Sequence, residues 1–250
     1  MGILERVKRE LRSLRGALHY RLSFDDDSAT TITERFHRLY FDSHVHGKTW
    51  MSSSWMGVPV RKCPTDLWKY QEMIYELRPD VIIETGTQLG GSAYYLASLC
   101  DLVAKGKVIT VDVDNLEESL SKERTAVRKA RPDHPRISYV RGSSTSEDVI
   151  RQVKASVQEG ERVLVILDSD HQKEHVLKEL HVYAPMVPIG SYIVVEDTNV
   201  NGHPVLPDFG PGPREAVEDF LRGNNDFVVD HSRESHLMTF NPGGFLRRLK

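Results

Sequence analysis

The sequence predicts an α/β protein built on a doubly wound, mostly parallel, seven-stranded Rossmann-like sheet, with an N-terminal helical extension and an antiparallel edge hairpin. Three observations predict it. Short apolar runs recur from residue 81 onward, of the kind found in strands buried on both faces. Amphipathic segments at helical spacing separate them. Acidic or glycine-rich residues follow the runs directly, where sheets of this kind bind ligands.

The elements are justified in chain order. Met1 to Tyr20 places Leu4, Val7, Leu11, Leu14 and Leu18 at helical spacing among Lys and Arg, which predicts a helix packed on its own protein or on a neighbouring subunit. Thr31 to Phe41 reads as a second helix, and Ser43 to Gly57, rich in Gly, Ser and His, as a long loop. From Pro64 a helix is signalled with Thr65 or Asp66 as its cap and Leu67, Tyr70, Ile74 and Leu77 as its apolar face. The alternation then begins. Strands are predicted at Val81–Ile83, Lys107–Val111, Ile137–Val140, Val163–Leu167 and Tyr192–Val195. Helices are predicted at Gly91–Val103, Leu116–Lys129, Glu147–Val157, Lys173–Tyr183 and Arg214–Leu221. Two last strands, Phe227–Val229 and Leu237–Phe240, are joined by a polar turn and read as the edge hairpin. The domain division expected is 1–62 for the extension and loop, and 63–250 for the α/β domain.

Composition narrows the function classes. With 250 residues, 39% hydrophobic and 28% charged, the chain is long enough for one large globular domain. A formal net charge of -3 gives no global signal for nucleic acid, and no apolar run reaches the length needed to span a bilayer. Two cysteines, Cys63 and Cys100, lack metal-ligand spacing and favour a reducing, cytoplasmic setting.

The first strand runs into Glu84-Thr85-Gly86-Thr87-Gln88-Leu89-Gly90-Gly91-Ser92. Gly86 allows a tight turn, and Gly90 and Gly91 allow backbone to approach a ligand closely. A dinucleotide fingerprint requires a second glycine where Gln88 stands, and an acidic residue precedes the first glycine. That carboxylate suits the cationic end of S-adenosylmethionine (SAM) better than a diphosphate. Asp112 ends the second strand, where an acidic side chain accepts hydrogen bonds from ribose hydroxyls, with Asp114 behind it. Gly142-Ser143-Ser144 supplies small hydroxyl groups for an adenine edge, or a cap for the next helix. The cofactor-binding candidates are Glu84, Gly86, Thr87, Gly91, Ser92, Asp112, Ser144 and Asp168.

The fourth strand ends in Asp168-Ser169-Asp170-His171 and the fifth in Glu196-Asp197. If the two strands are neighbours, Asp168, Glu196 and Asp197 converge, and three carboxylates together call for a cation. A hard divalent ion, Mg²⁺ first, fits an oxygen donor set. Such an ion could hold an acceptor hydroxyl for methylation, with His171 or Asp170 as the base, unless those two residues only cap the next helix. His203 is a further candidate, and His44, His46 and Trp55 are candidates for the acceptor pocket.

The strings Glu84–Ser92, Leu167–His171, Glu196–Gly212 and His236–Gly244, and the helix entry from Val58 to Leu77, resemble the cephalosporin hydroxylase / rhamnosyl O-methyltransferase family, over roughly Trp50 to Leu249. The resemblance implies a class I SAM methyltransferase fold. It also implies Mg²⁺ on Asp168, Glu196 and Asp197, and a base at either His171 or Asp170. The function expected is a SAM- and Mg²⁺-dependent O-methyltransferase for a sugar, glycosylated or other natural-product acceptor. The competing expectation is a non-catalytic SAM-fold partner that assists an oxygenase. The N-terminal helix and edge hairpin are compatible with a homo-oligomer.

Overall fold

The computed structural model describes residues 26–113 and 131–250, together with Leu14. The helix expected over Met1–Tyr20, the helix expected over Leu116–Lys129 and the acid Asp114 lie outside the described residues.

The chain enters as helix α1, Asp26–Asp42, passes through two 3-10 turns at Ser43–His46 and Thr49–Ser52, and forms a small hairpin of β1 (Ser54–Trp55) and β2 (Val58–Pro59). The segment read as a plain loop is therefore folded onto the domain. Helix α2, Pro64–Leu77, follows, and then the alternation: β3 Val81–Thr85, α3 Gly91–Leu102, β4 Lys107–Asp112, β5 Ile137–Arg141, α4 Glu147–Ala155, β6 Val163–Leu167, α5 Lys173–Tyr183, β7 Tyr192–Val195 and α6 Pro213–Gly223. The last strands are β8 Phe227–Val229 and β9 Phe245–Arg248.

The seven-stranded sheet has the order β5-β4-β3-β6-β7-β9-β8. β3 to β7 are parallel, and β9 is antiparallel to both of its neighbours. The sheet is covered on both faces. Ile83, Val165 and Ile193 pack with Val153, Leu180 and Phe220 of α4, α5 and α6. Ile82, Leu164 and Val194 pack with Ile74 and Leu96 of α2 and α3. Alternate residues of one strand thus bury against opposite helical layers, which is why its strands read as unbroken apolar runs. Burying each large aliphatic side chain contributes roughly 1.5–3 kcal/mol.

Two expectations are corrected. Leu237–Phe240 is not a strand; the seventh strand is Phe245–Arg248, inserted between β7 and β8 and separated from β8 by residues 230–244. The main chain at Phe240 is drawn elsewhere, because its N–H donates to Asp66 Oδ2 at 2.8 Å and Met238 O accepts from Thr65 Oγ1 at 2.7 Å. Those same bonds correct the capping of α2. Neither Thr65 nor Asp66 caps it; the cap position is Cys63, with Pro64 opening the helix.

Register brings the functional ends level. Thr85 pairs with both Val111 and Leu167, and Leu167 pairs with Val195. The residues after β3, β4, β6 and β7 therefore share one edge, and the order of strands reverses between β3 and β6. That is where an open α/β sheet has its ligand crevice. Among the described residues no helix is long and apolar enough to cross a membrane.

Candidate functional site

A cavity of about 680 Å³ opens at this edge. Its floor is the β3–α3 turn, with Gly86, Thr87, Gln88, Gly91 and Ser92; one wall carries Asp112 and the Gly142–Ser144 turn, and the other Asp168, Asp170, His171 and Asp197. All the sequence-predicted cofactor candidates except Glu84 line it.

Gly86 and Gly91 are needed for close approach of the protein to itself. Gly86 has φ +92°, and a Cβ there would lie 1.8 Å from the Asp168 carbonyl oxygen. At Gly91 a Cβ would lie 1.8 Å from Pro59 O. These glycines press β3 against the end of β6, and α3 against β2, so they give clearance to the protein's own backbone. Asp112 Oδ2 accepts from Gln88 N at 2.7 Å, which ties the β4 end to the turn. Thr87 Oγ1 lies 2.7 Å from Thr110 Oγ1, and Ser144 Oγ lies 3.1 Å from His175 Nε2. Ser144 is not a helix cap; that position in α4 is Ser146.

Glu84 sits beneath the cavity and is 0% exposed. Its Oε2 accepts from Thr110 at 2.7 Å, while its Oε1 is buried without a partner. Burial pushes its carboxyl up to about 7, against the opposing pull of Lys62, Ser92 and Thr110.

The acid cluster forms as the adjacent strands require. Ligand atoms of Asp168, His171 and Asp197 all lie within 4.8 Å of one another. His171 Nε2 is 3.2 Å from Asp197 Oδ2. Burial opposes charge on that imidazole, but Asp197, Asp168 and Glu196 outweigh it and raise its pKa. Burial and repulsion by Asp197 raise the carboxyl of Asp168, burial and Asp168 raise that of Glu196, and burial and Glu196 raise that of Asp197. Asp170 Oδ1 accepts from Gln172 N at 2.9 Å in a local turn before α5. Glu196 adjoins the cluster, its Oε1 accepting from Lys62 Nζ at 2.6 Å and Tyr70 OH at 2.6 Å.

Lys62 was not singled out from the sequence. It bonds Asp168 Oδ2 at 2.6 Å as well as Glu196, at 4% exposure, and those carboxylates hold its ammonium well above the usual lysine range despite burial. Asp66 was also missed as a site residue. Its carboxyl, raised by burial to about 7, clamps Thr239 Oγ1 at 2.5 Å and Phe240 N. Asn241 next to them accepts from Asp197 N at 3.1 Å, so this clamp steadies the acid cluster.

Several candidates lie elsewhere. His203 bonds Glu215 Oε1 at 3.0 Å and lines a separate cavity of about 320 Å³. His44 Nδ1 faces Phe41 O at 2.7 Å, and Trp55 donates to Ser98 Oγ at 3.1 Å, its ring packed on Tyr95. His46 is exposed and does not line the cavity. From the same stretch it is Trp50 and Met51 that reach the cavity.

Comparisons with known proteins give the family and the fold. A family model described as Rhamnosyl O-methyltransferase/CmcI matches residues 47–249. A rhamnosyl O-methyltransferase of Mycobacterium bovis (strain BCG / Pasteur 1173P2) is 37% identical over 252 residues, covering 99% of this chain and 95% of its own length. One from Mycobacterium leprae (strain TN) is 36% identical over 222 residues, covering 87% of this chain and 91% of its own. A CmcI structure with Mg and SAM superposes with a TM-score of 0.57 at 21% identity, over 80% of this chain and 78% of that one. An apo CmcI structure gives a TM-score of 0.59 at 18% identity, over 84% of each chain. These two likenesses carry the fold. By its sequence over nearly its whole length, this chain belongs to the rhamnosyl O-methyltransferase/CmcI family.

Proposed function

We propose that this chain is a SAM- and Mg²⁺-dependent O-methyltransferase that methylates a hydroxyl of a sugar, a glycosylated compound or another natural-product acceptor. The observation that carries the reading is the juxtaposition, in one cavity, of the Asp112-bearing wall with the half-buried cluster of Asp168, His171 and Asp197.

The residues present fit both groups. The unpartnered buried Oε1 of Glu84 lies beneath the turn that would carry the cationic end of SAM, and a cation bound above it would favour the ionised carboxylate. Asp112 would hold the ribose hydroxyls, and Ser144 and its neighbours the adenine side. Asp168 and Asp197, with Glu196 beside them, offer carboxylate oxygens that would suit a hard divalent cation. Mg²⁺ bound there would polarise the acceptor hydroxyl and lower its pKa.

The chain's own residues do the rest. His171 takes the proton from the acceptor hydroxyl, and Asp197 at 3.2 Å orients its imidazole and stabilises the imidazolium that forms. Asp170 is the weaker base, because its Oδ1 is already committed to Gln172 N. Trp50 and Met51 bound the acceptor side and exclude water, so that transfer depends chiefly on holding oxygen and methyl in line. Calorimetric titration with SAM tests the cofactor half directly. Wild-type protein is expected to bind SAM and Asp112→Ala to bind it at least about tenfold more weakly; equal affinity would show that the cavity does not hold the nucleoside as described.

A further inference from the structure

The sequence assigns Lys62 no role. It lies between the β1–β2 hairpin and α2, yet its ammonium sits inside the acid cluster, 2.6 Å from Asp168 Oδ2 and 2.6 Å from Glu196 Oε1. Those two carboxylates stand at the ends of adjacent strands β6 and β7. Any cation shared by the two strand ends must sit between the same carboxylates. The ligand atoms of Asp168, His171 and Asp197 already converge, and Glu196 stays outside that group although it adjoins Asp197 in sequence. What holds Glu196 out is visible: Lys62 and the Tyr70 hydroxyl both donate to its Oε1.

Three clustered carboxylates without a neighbouring cation would repel one another, and a buried ammonium without carboxylates would be equally costly. Lys62 and the acids solve each other's problem. A divalent ion would solve it too, but not at the same oxygens at the same time, because ammonium and metal repel across a few ångströms of buried space.

We infer that Lys62 is a built-in counter-ion that competes with a divalent cation for Asp168 and Glu196. It holds the cluster together before the ion loads, and its ammonium withdraws as the ion binds. The flexible four-carbon stem of lysine permits such a withdrawal. Lys62 is a positioning residue, acting through two carboxylates, and the inference rests on reading Asp168, Glu196 and Asp197 as cation ligands. Its consequence is a site whose cation affinity is deliberately moderated, with Glu196 released to the ion only when Lys62 leaves.

The test is a calorimetric titration of Mn²⁺ into wild-type, Lys62→Met and Lys62→Arg proteins without SAM. Lys62→Met is expected to bind Mn²⁺ about tenfold tighter than wild type, because a buried like charge has been removed. It is also expected to melt lower without the ion and to gain more in Tm on saturation. Lys62→Arg, which keeps the charge, is expected to bind no tighter than wild type. Equal or weaker binding by Lys62→Met overturns the competition and leaves the cation site standing. No binding by wild type or by Lys62→Met overturns the cation site itself. Should Lys62→Met fail to fold, wild-type protein labelled with ¹⁵N-lysine answers the question. The Lys62 Nζ–H signal, protected by its two hydrogen bonds, is expected to shift or vanish on adding Mg²⁺; an unchanged signal at saturation overturns the inference.

Discussion

Replacing Gly86 by alanine attacks the site through the backbone alone. The residue has φ +92°, and an added Cβ lies 1.8 Å from Asp168 O and 2.5 Å from its carbonyl carbon, where ordinary contact begins at 3.4 Å. The end of β6 must therefore open by roughly 1.6 Å, and it is pinned, since Asp168 N donates to Thr85 O at 3.0 Å. A left-handed alanine costs about 1–2 kcal/mol and overpacking about 1–3 kcal/mol, so the sum is about 2–5 kcal/mol. Gly160 is the control: φ is +83° there, and nothing lies within 4 Å of an added Cβ. Gly160→Ala carries only the backbone part, about 1–2 kcal/mol. Urea unfolding at matched slope measures both losses. Losses that agree within about 0.5 kcal/mol would refute the claim that Gly86 exists for the close approach of β3 to β6. Gly86→Ala is also expected to weaken Mg²⁺ and SAM binding, because Asp168 moves, whereas Gly160→Ala leaves both unchanged.

Asp66 makes stability depend on pH. Its folded pKa of about 7 lies above the ordinary 3.8, so the folded state holds the proton more tightly. Stability from this group is therefore greatest at low pH and falls as pH rises from about 4 to about 7, by at most ~4 kcal/mol. Asp66→Asn keeps an acceptor for Phe240 N and removes that slope; urea midpoints measured across this range without divalent ions should diverge from wild type, and parallel curves would contradict the assignment. His171→Ala is expected to lower kcat by about 10²–10⁴, whereas Asp170→Asn stays within about tenfold of wild type; the reverse ranking, in single-turnover kinetics, would make Asp170 the base. His203→Ala is expected to leave methyl transfer unchanged, since His203 pairs with Glu215 away from the cavity; a large fall in kcat would return it to the site.

Much of the fold was legible because strands buried on both faces cannot hide. Val81-Ile82-Ile83 and Val163 to Leu167 are apolar throughout, and Asp168 after the second run marks the sheet edge at once. The last strand was misread for a physical reason. Leu237-Met238-Thr239-Phe240 is an apolar run like a strand, but its hydrogen bonds go to Asp66 and Thr65, whereas Phe245-Leu246-Arg247-Arg248 looks too charged to be one. Arg248 enters the sheet because its guanidinium reaches Val187 O at 2.7 Å. Site acids were legible from their place after strands, and Lys62 was not. Beside Arg61 in a connecting segment it looks like a solvated surface charge, and only the folded chain shows two carboxylates waiting for it. Trp50, hidden in a stretch where histidines drew attention, reaches the cavity because its ring stacks on Phe41 at 5.4 Å.

The most direct test is transfer of a labelled methyl group from SAM to a rhamnose-terminated glycoside panel, in Mg²⁺ and in EDTA, by wild type and Asp168→Ala. The account predicts a labelled ether on an acceptor hydroxyl with stoichiometric S-adenosylhomocysteine in Mg²⁺, and a loss of about 10² or more in EDTA or in Asp168→Ala. Transfer that proceeds undiminished in EDTA and in Asp168→Ala would contradict it.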